Sequence, residues 1–255
     1  MAAQRASWLL FSSPAPTASS SFRKSPLFWL AFLNLLLFVS LALPALHQQL
    51  LPGDAFVYHA LQAEHSPFWT SVFRMVTKAG SYQVLVAVGI GVVVWQRTNR
   101  PLLLFLALYS LGLPLLETGA KYAVARPRPR DFLGAGPLLH STHGFPSGHA
   151  LAAVAFYGML LVLLYRRIRS RGWRWGTVGS LLLLILLIGV SRIYREAHWP
   201  SDVLGGYTLG GAYCALATVV YGWIERKGKT AAAVRSLEEA APREDPGLAA
   251  ADGST

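Results

Sequence analysis

The chain has 255 residues, of which 53% are hydrophobic and 14% charged, with a formal net charge of +11. The charged share is about half that of soluble domains, and the charges cluster between long apolar runs that one soluble core could not hide. The basic excess invites a nucleic-acid reading, but the placement of the charges favours a membrane and excludes that partner.

A bilayer span needs about 20 apolar residues. Residues 1–26 are rich in Ser, Ala and Pro and are expected to form a disordered tail. Arg23-Lys24 before an apolar run resembles a signal peptide, with Leu41-Ala-Leu-Pro-Ala45 mimicking a cleavage site. The run is longer than the usual ~7–15 residues of such a segment, so Leu27–Leu46 is read as an uncleaved first span. Pro52–Lys78 is too polar to span and predicts one or two interfacial amphipathic helices; an ordinary solvated loop is the plainer alternative. Further spans are expected at Gly80–Trp95, Pro101–Leu116, His149–Tyr165, Thr177–Val190 and Val203–Ile224. The second and fifth spans are short and should extend into their flanks. Trp173, Trp175 and Trp223 lie near span ends, where indole rings favour the interface. Cys214, the single cysteine, is a small packing residue in the last run, and residues 225–255 are read as a cytoplasmic disordered tail. The expectation is an all-α polytopic protein: six transmembrane helices in one bundle over residues 27–224, with interfacial helices between spans one and two.

Six spans put both ends on one side. That side collects 15 of the 23 Lys and Arg residues, five of them in Arg166–Arg174, and is read as cytoplasmic. Of the 8 on the other face, six lie in two segments that carry candidate chemistry.

Ionisable groups beside spans are costly and invite a functional reading. In the segment Lys121–Pro129, Lys121 follows the third span, and Arg126, Arg128 and Arg130 recur at every second residue of a chain held extended by Pro127 and Pro129. Arg forks and a Lys charge suit phosphate oxygens; a juxtamembrane stop or headgroup contact is the plainer reading. Gly144-Phe-Pro-Ser-Gly-His149 opens the fourth span. Free N–H groups at a helix start bind anions, Ser147 and Gly148 allow close approach, and His149 can donate a proton; a lone His there is otherwise structural. In the third segment, Ser191–Asp202, His198 and Asp202 stand four apart, with Pro200 marking a helix start between them. An Asp beside an imidazole suits a histidine nucleophile; a surface ion pair is the alternative. Glu117 precedes Lys121 by four and is placed to pair with it. Gly206 and Gly210 have the small-xxx-small spacing of close helix packing.

Lys121, six residues, Arg128-Pro129; then Pro146-Ser-Gly-His149; then Ser191-Arg192, five residues, His198, three residues, Asp202: this three-part pattern resembles the signature of the type 2 phosphatidic acid phosphatase superfamily. The resemblance covers roughly residues 27–224. It implies an integral-membrane phosphatase acting on a lipid phosphate or diphosphate, without metal or other cofactor. It implies that His198 is the nucleophile, Asp202 its orienting partner and His149 the general acid and base. Lys121, Arg128, Arg192, Ser147 and the Gly148 backbone would cradle the phosphate. Arg126, Arg130, His140, His143, Arg195 and Glu196 fall outside the signature. The size and short loops resemble bacterial members acting on undecaprenyl diphosphate or phosphatidylglycerophosphate, with phosphatidic acid a further substrate of the class; the partners implied are the lipid phosphate and the bilayer, and the active site would face the periplasm or cell exterior. The competing readings are a vanadium haloperoxidase-like enzyme, a small-sugar phosphatase and a catalytically silent lipid-binding or transport protein.

Overall fold

The computed structural model of the chain describes residues 25–97, 99–133, 143–165 and 167–240. His140, most of the N-terminal tail and the last fifteen residues lie outside them. Among the described residues all regular structure is helical.

Helix α1 (Pro26–Leu46) opens on a proline at its first turn, where the fixed φ and the missing N–H cost nothing. Its 21 residues reach about 31 Å, enough for a hydrocarbon core of about 30 Å. Leu33, Leu36 and Leu43 stay on its outer surface, as lipid-facing side chains must. Gly53, with φ 92°, makes the turn into α2 (Asp54–Ala63), a left-handed conformation that suits glycine. The Ser66 hydroxyl accepts from the Trp69 N–H at 3.2 Å and caps α3 (Pro67–Ala79).

Helix α4 (Tyr82–Trp95) has 14 residues, about 21 Å, and falls short of the core alone. It meets α3 at a 46° bend, and the two reach span length and apolarity only together. The short second run is therefore lengthened by α3 rather than by its own flanks. Of the one or two helices expected between spans one and two, both are present, and α2 is the one separate from the bent pair.

Helix α5 (Arg100–Val124) is capped by the Asn99 side chain, which accepts from the Leu102 N–H. Leu104, Leu108, Leu111 and Leu115 form an outward stripe at helical spacing, while Phe105, Tyr109 and Leu113 face inward. After the short α6 (Pro129–Phe132) come α7 (Gly148–Tyr165), α8 (Arg171–Tyr194) and α9 (Pro200–Ala240). The fifth run is extended at both ends in α8, as its shortness required. Among the described residues five helices are long and apolar enough to cross a membrane, and the count is six where the bent pair is one span.

The sequence reading placed an irregular tail from residue 225, whereas α9 runs on to Ala240. Ala, Lys, Arg and Glu dominate that stretch and are strong helix formers, and Glu225 pairs with Lys229 at i,i+4. The chain divides into compact units at residues 1–219 and 220–255, inside this helix.

In the first unit α7 packs on α5 and α8, α8 also meets α2 and α3, and α1 lies on α5. The first half of the inner face of α7 is mostly small: Gly148, Ala150, Ala152, Ala153 and Ala155 are buried, with Leu151 the one large residue among them. Against it lie Gly206 and Gly210, where an added Cβ would come within 2.5 Å of the Ser147 carbonyl and 2.6 Å of that of Leu151. The small-xxx-small spacing thus lets two backbones touch and fixes the start of α7 against the start of α9.

Candidate active site

Three chain segments meet where α5 ends, α7 begins and α8 passes into α9. The first leaves α5 through Ala125, which has φ 51°. This turn sends Arg126 inward, where it is 1% exposed. Its guanidinium donates to Asp202 Oδ1 at 2.8 Å, Ser201 Oγ at 2.8 Å, the Gln49 carbonyl at 2.8 Å and Asp54 Oδ2 at 3.1 Å. Asp54 in turn accepts from the Ser201 N–H and hydroxyl and from the Leu51 N–H. A buried cation with its donors so engaged is structurally committed, which removes Arg126 from the headgroup-contact reading. Arg130 lies outside and pairs with Glu196 at 2.8 Å.

The second segment is clamped by its backbone. The Gly144 N–H donates to the Arg126 carbonyl at 2.6 Å, and the Ser147 N–H to the Asp202 carbonyl at 2.9 Å. Between them Phe145–Pro146 is a cis peptide. The Phe145 ring is fully buried against Phe38 and the face of α9 at Gly205. Leu151 N–H already bonds the Ser147 carbonyl, so the N–H groups of Gly148, His149 and Ala150 are the first-turn donors without an intrahelical acceptor. His143 is half-buried, edge-on to the Tyr122 ring.

The third segment holds His198, 2% exposed. Its Nδ1 lies 2.7 Å from the Gly144 carbonyl. A carbonyl only accepts, so Nδ1 carries the proton and Nε2 keeps the lone pair. Asp202, the partner expected from the sequence, stands 3.7 Å from the same nitrogen, beyond hydrogen-bond range. Its Oδ2 accepts instead from the Trp199 N–H at 2.9 Å, half of a capping box that starts α9. Gly144 therefore orients the ring, and Asp202 contributes charge. Burial pushes the His198 imidazole down to about 4; the Asp202 carboxylate opposes this, and the charges of Arg192 and Arg128 reinforce it. Trp199 packs on Tyr58, with centroids 5.0 Å apart, so α2 rests on the residue that follows the histidine.

The remaining signature residues converge. Arg192, Lys121, Arg128 and the His198 ring all lie within electrostatic reach of the His149 ring. Arg192 Nη1 donates to Thr77 Oγ1 at 3.0 Å, while its Nε is buried without a partner. Ser147 Oγ is buried and also lacks one. Buried orphan donors are rare in folded proteins, and two of them fall among the residues singled out for phosphate. Lys121 pairs with Glu117 at 2.6 Å, as the i,i+4 spacing suggested. Arg128 is half-buried beside this group. Among the described residues no three His, Cys, Asp or Glu side chains gather as a metal cluster. Nearby, α4, α5 and α7 line an open apolar cavity of about 330 Å³ whose wall includes Tyr82, Leu85, Tyr109 and Met159.

The sequence reading passed over Asp54, Ser201, Arg126 and the Gly144 carbonyl as supports of the site. Asp54 carries no local signal, and a backbone carbonyl has no side-chain signature at all.

A bundle of membrane-crossing helices with two histidines and three cations at one end defines a class, the integral-membrane phosphatases. The sequence model of the PAP2 superfamily matches residues 102–226, about half of the chain, and the chain is similar to members of that superfamily. It is 29% identical over 184 residues to phosphatidylglycerophosphatase B of Bacillus subtilis, covering 69% of this chain and 88% of the relative. It is 30% identical over 137 residues to an undecaprenyl-diphosphatase of Sulfolobus acidocaldarius, covering 52% of this chain and 62% of that one. The crystal structure of a transmembrane PAP2-type phosphatidylglycerolphosphate phosphatase from Bacillus subtilis superposes with a TM-score of 0.62 at 26% identity, over 78% of this chain and 97% of its own.

Proposed function

We propose that this chain removes a phosphate from a lipid phosphomonoester or diphosphate through a phosphohistidine formed on His198. The observation that carries the reading is the meeting of His198, His149 and three cations with two buried, unpartnered donors, Ser147 Oγ and Arg192 Nε. His198 Nε2 attacks phosphorus in line with the leaving oxygen. The P–O bond to the lipid breaks, and His149 supplies the proton that the leaving oxygen takes. Water then attacks the phosphorus of the phosphohistidine, His149 takes the water's proton, and the N–P bond breaks to free inorganic phosphate and His198. Lys121, Arg128, Arg192, Ser147 and the N–H groups at Gly148 hold the equatorial oxygens, where charge spreads in the transition state. The cavity walled by Tyr82 and Met159 suits a lipid chain. Residues 27–224 act as one phosphatase domain.

Undecaprenyl diphosphate and phosphatidylglycerophosphate are the favoured substrates, because similar proteins are named for them. Turnover of the purified protein on these two, on phosphatidic acid and on a soluble sugar phosphate tests the reading. Preference for the sugar phosphate would refute a lipid substrate.

Three fixed cations can do the charge stabilisation that a metal provides elsewhere. Activity is therefore expected to survive EDTA and to be blocked by vanadate, a five-coordinate mimic of the transition state. Loss in EDTA with rescue by magnesium would rule out the metal-free mechanism.

Both ends of the chain are assigned to the cytoplasm and the site to the opposite face, from the 15-to-8 division of Lys and Arg. A reporter fused after Thr255 should read as cytoplasmic. An external signal would reverse the orientation.

A further inference from the structure

Glu117 is 8% exposed inside the bundle. One carboxylate oxygen accepts from Lys121 Nζ at 2.6 Å, and the other accepts from the Tyr82 hydroxyl. Gly148 lies directly against it: a Cβ at that position would overlap the carboxylate. The acid thus sits beside the first residue of α7, where free N–H groups and the helix dipole attract anions. An internal anion shares the cradle meant for phosphate and already engages one of its cations.

We propose that Glu117 is a positioning residue that acts through Lys121 and loosens the site's hold on free phosphate, so that the product leaves. This rests on the reading above that Lys121 contacts the phosphate. To grip phosphate, Lys121 must share its charge between two anions, and the nearby carboxylate repels the incoming charge. Both effects act on bound substrate and product. Tight binding of the ground state or product adds nothing to the chemical step, and product release often limits turnover. Tyr82 tunes the balance, because its hydroxyl satisfies one oxygen of Glu117 and draws charge away from Lys121.

The test is the inhibition of soluble aryl phosphate turnover by inorganic phosphate, on the purified full chain. Glu117→Gln keeps an acceptor and removes the charge. It should be inhibited at roughly tenfold lower phosphate, the order expected of one charged hydrogen bond, with KM and kcat both reduced. Tyr82→Phe leaves Glu117 more fully to Lys121 and should shift inhibition to higher phosphate. Opposite shifts in the two variants would not arise from a merely structural carboxylate, for which removing either the charge or its tyrosine partner weakens binding. Unchanged or weaker phosphate inhibition in Glu117→Gln overturns the proposal. Should that variant not fold, Tyr82→Phe decides alone: no upward shift overturns it. A wild-type protein that neither hydrolyses phosphate esters nor responds to vanadate would instead overturn the functional reading beneath it.

Discussion

Replacing His198 by Ala is expected to abolish turnover, and replacing His149 by Ala to reduce it by at least about 10²–10⁴-fold, the usual worth of general acid–base help. The two losses differ in kind. A lipid alkoxide is a poor leaving group and needs the proton, whereas an activated aryl phosphate leaves without one. Aryl phosphate should partly rescue His149→Ala and should not rescue His198→Ala. The pH profile of the rescued variant reports on the nucleophile. His198 attacks only when neutral, and burial sets its pKa at about 4. Its kcat/KM should therefore rise with pH through about 4 and be level near neutrality. Equal rescue of both variants would mean that another group attacks.

Replacing Arg126 by Met should be the most damaging change outside the histidines. It keeps the length and removes the charge, leaving Asp54 and Asp202, 2% and 0% exposed, without their shared cation. Removing one partner of a buried pair costs about 3–5 kcal/mol. A large fall in melting temperature in detergent should accompany loss of activity. Arg126→Lys keeps the charge but not the fork that reaches four acceptors, and should fall between. Wild-type melting of the Met variant would show that the network does not hold the site together.

The contrast between these residues explains what the sequence made legible. His149, His198, Lys121, Arg128 and Arg192 stood out because ionisable groups beside apolar runs are costly in a bilayer. Glu117 could be paired with Lys121 because four residues make one helical step. The partners of Arg126 lie 72 to 77 positions away, and no local period marks such a distance. The orienting partner of His198 was assigned to Asp202 because a carboxylate is visible in a sequence. The Gly144 carbonyl, which makes the shorter contact, is set by how the Arg126 backbone clamps the loop. Span existence was legible from apolar length, but the bend between α3 and α4 was not, because each helix alone gives no sign that they share a crossing. The continuation of α9 was missed because its Ala- and Glu-rich sequence shows no amphipathic period, although its composition favours a helix.

That bend also works as a depth gauge. Gly80 lies at it, against Ile188 and within 3.4 Å of the His149 ring for an added Cβ. From there α4 runs 14 residues and α7 runs 18 to the opposite side, about 21 and 27 Å. A hydrocarbon layer of about 30 Å therefore reaches past the bend, and α3 supplies the remaining length of that crossing. On the proposed mechanism the reacting phosphorus lies towards one end of the crossing helices and not at their middle. A lipid can keep its chain among its neighbours while only its phosphate is handled, and no charge has to be carried towards the middle of the bilayer, where it would be most costly.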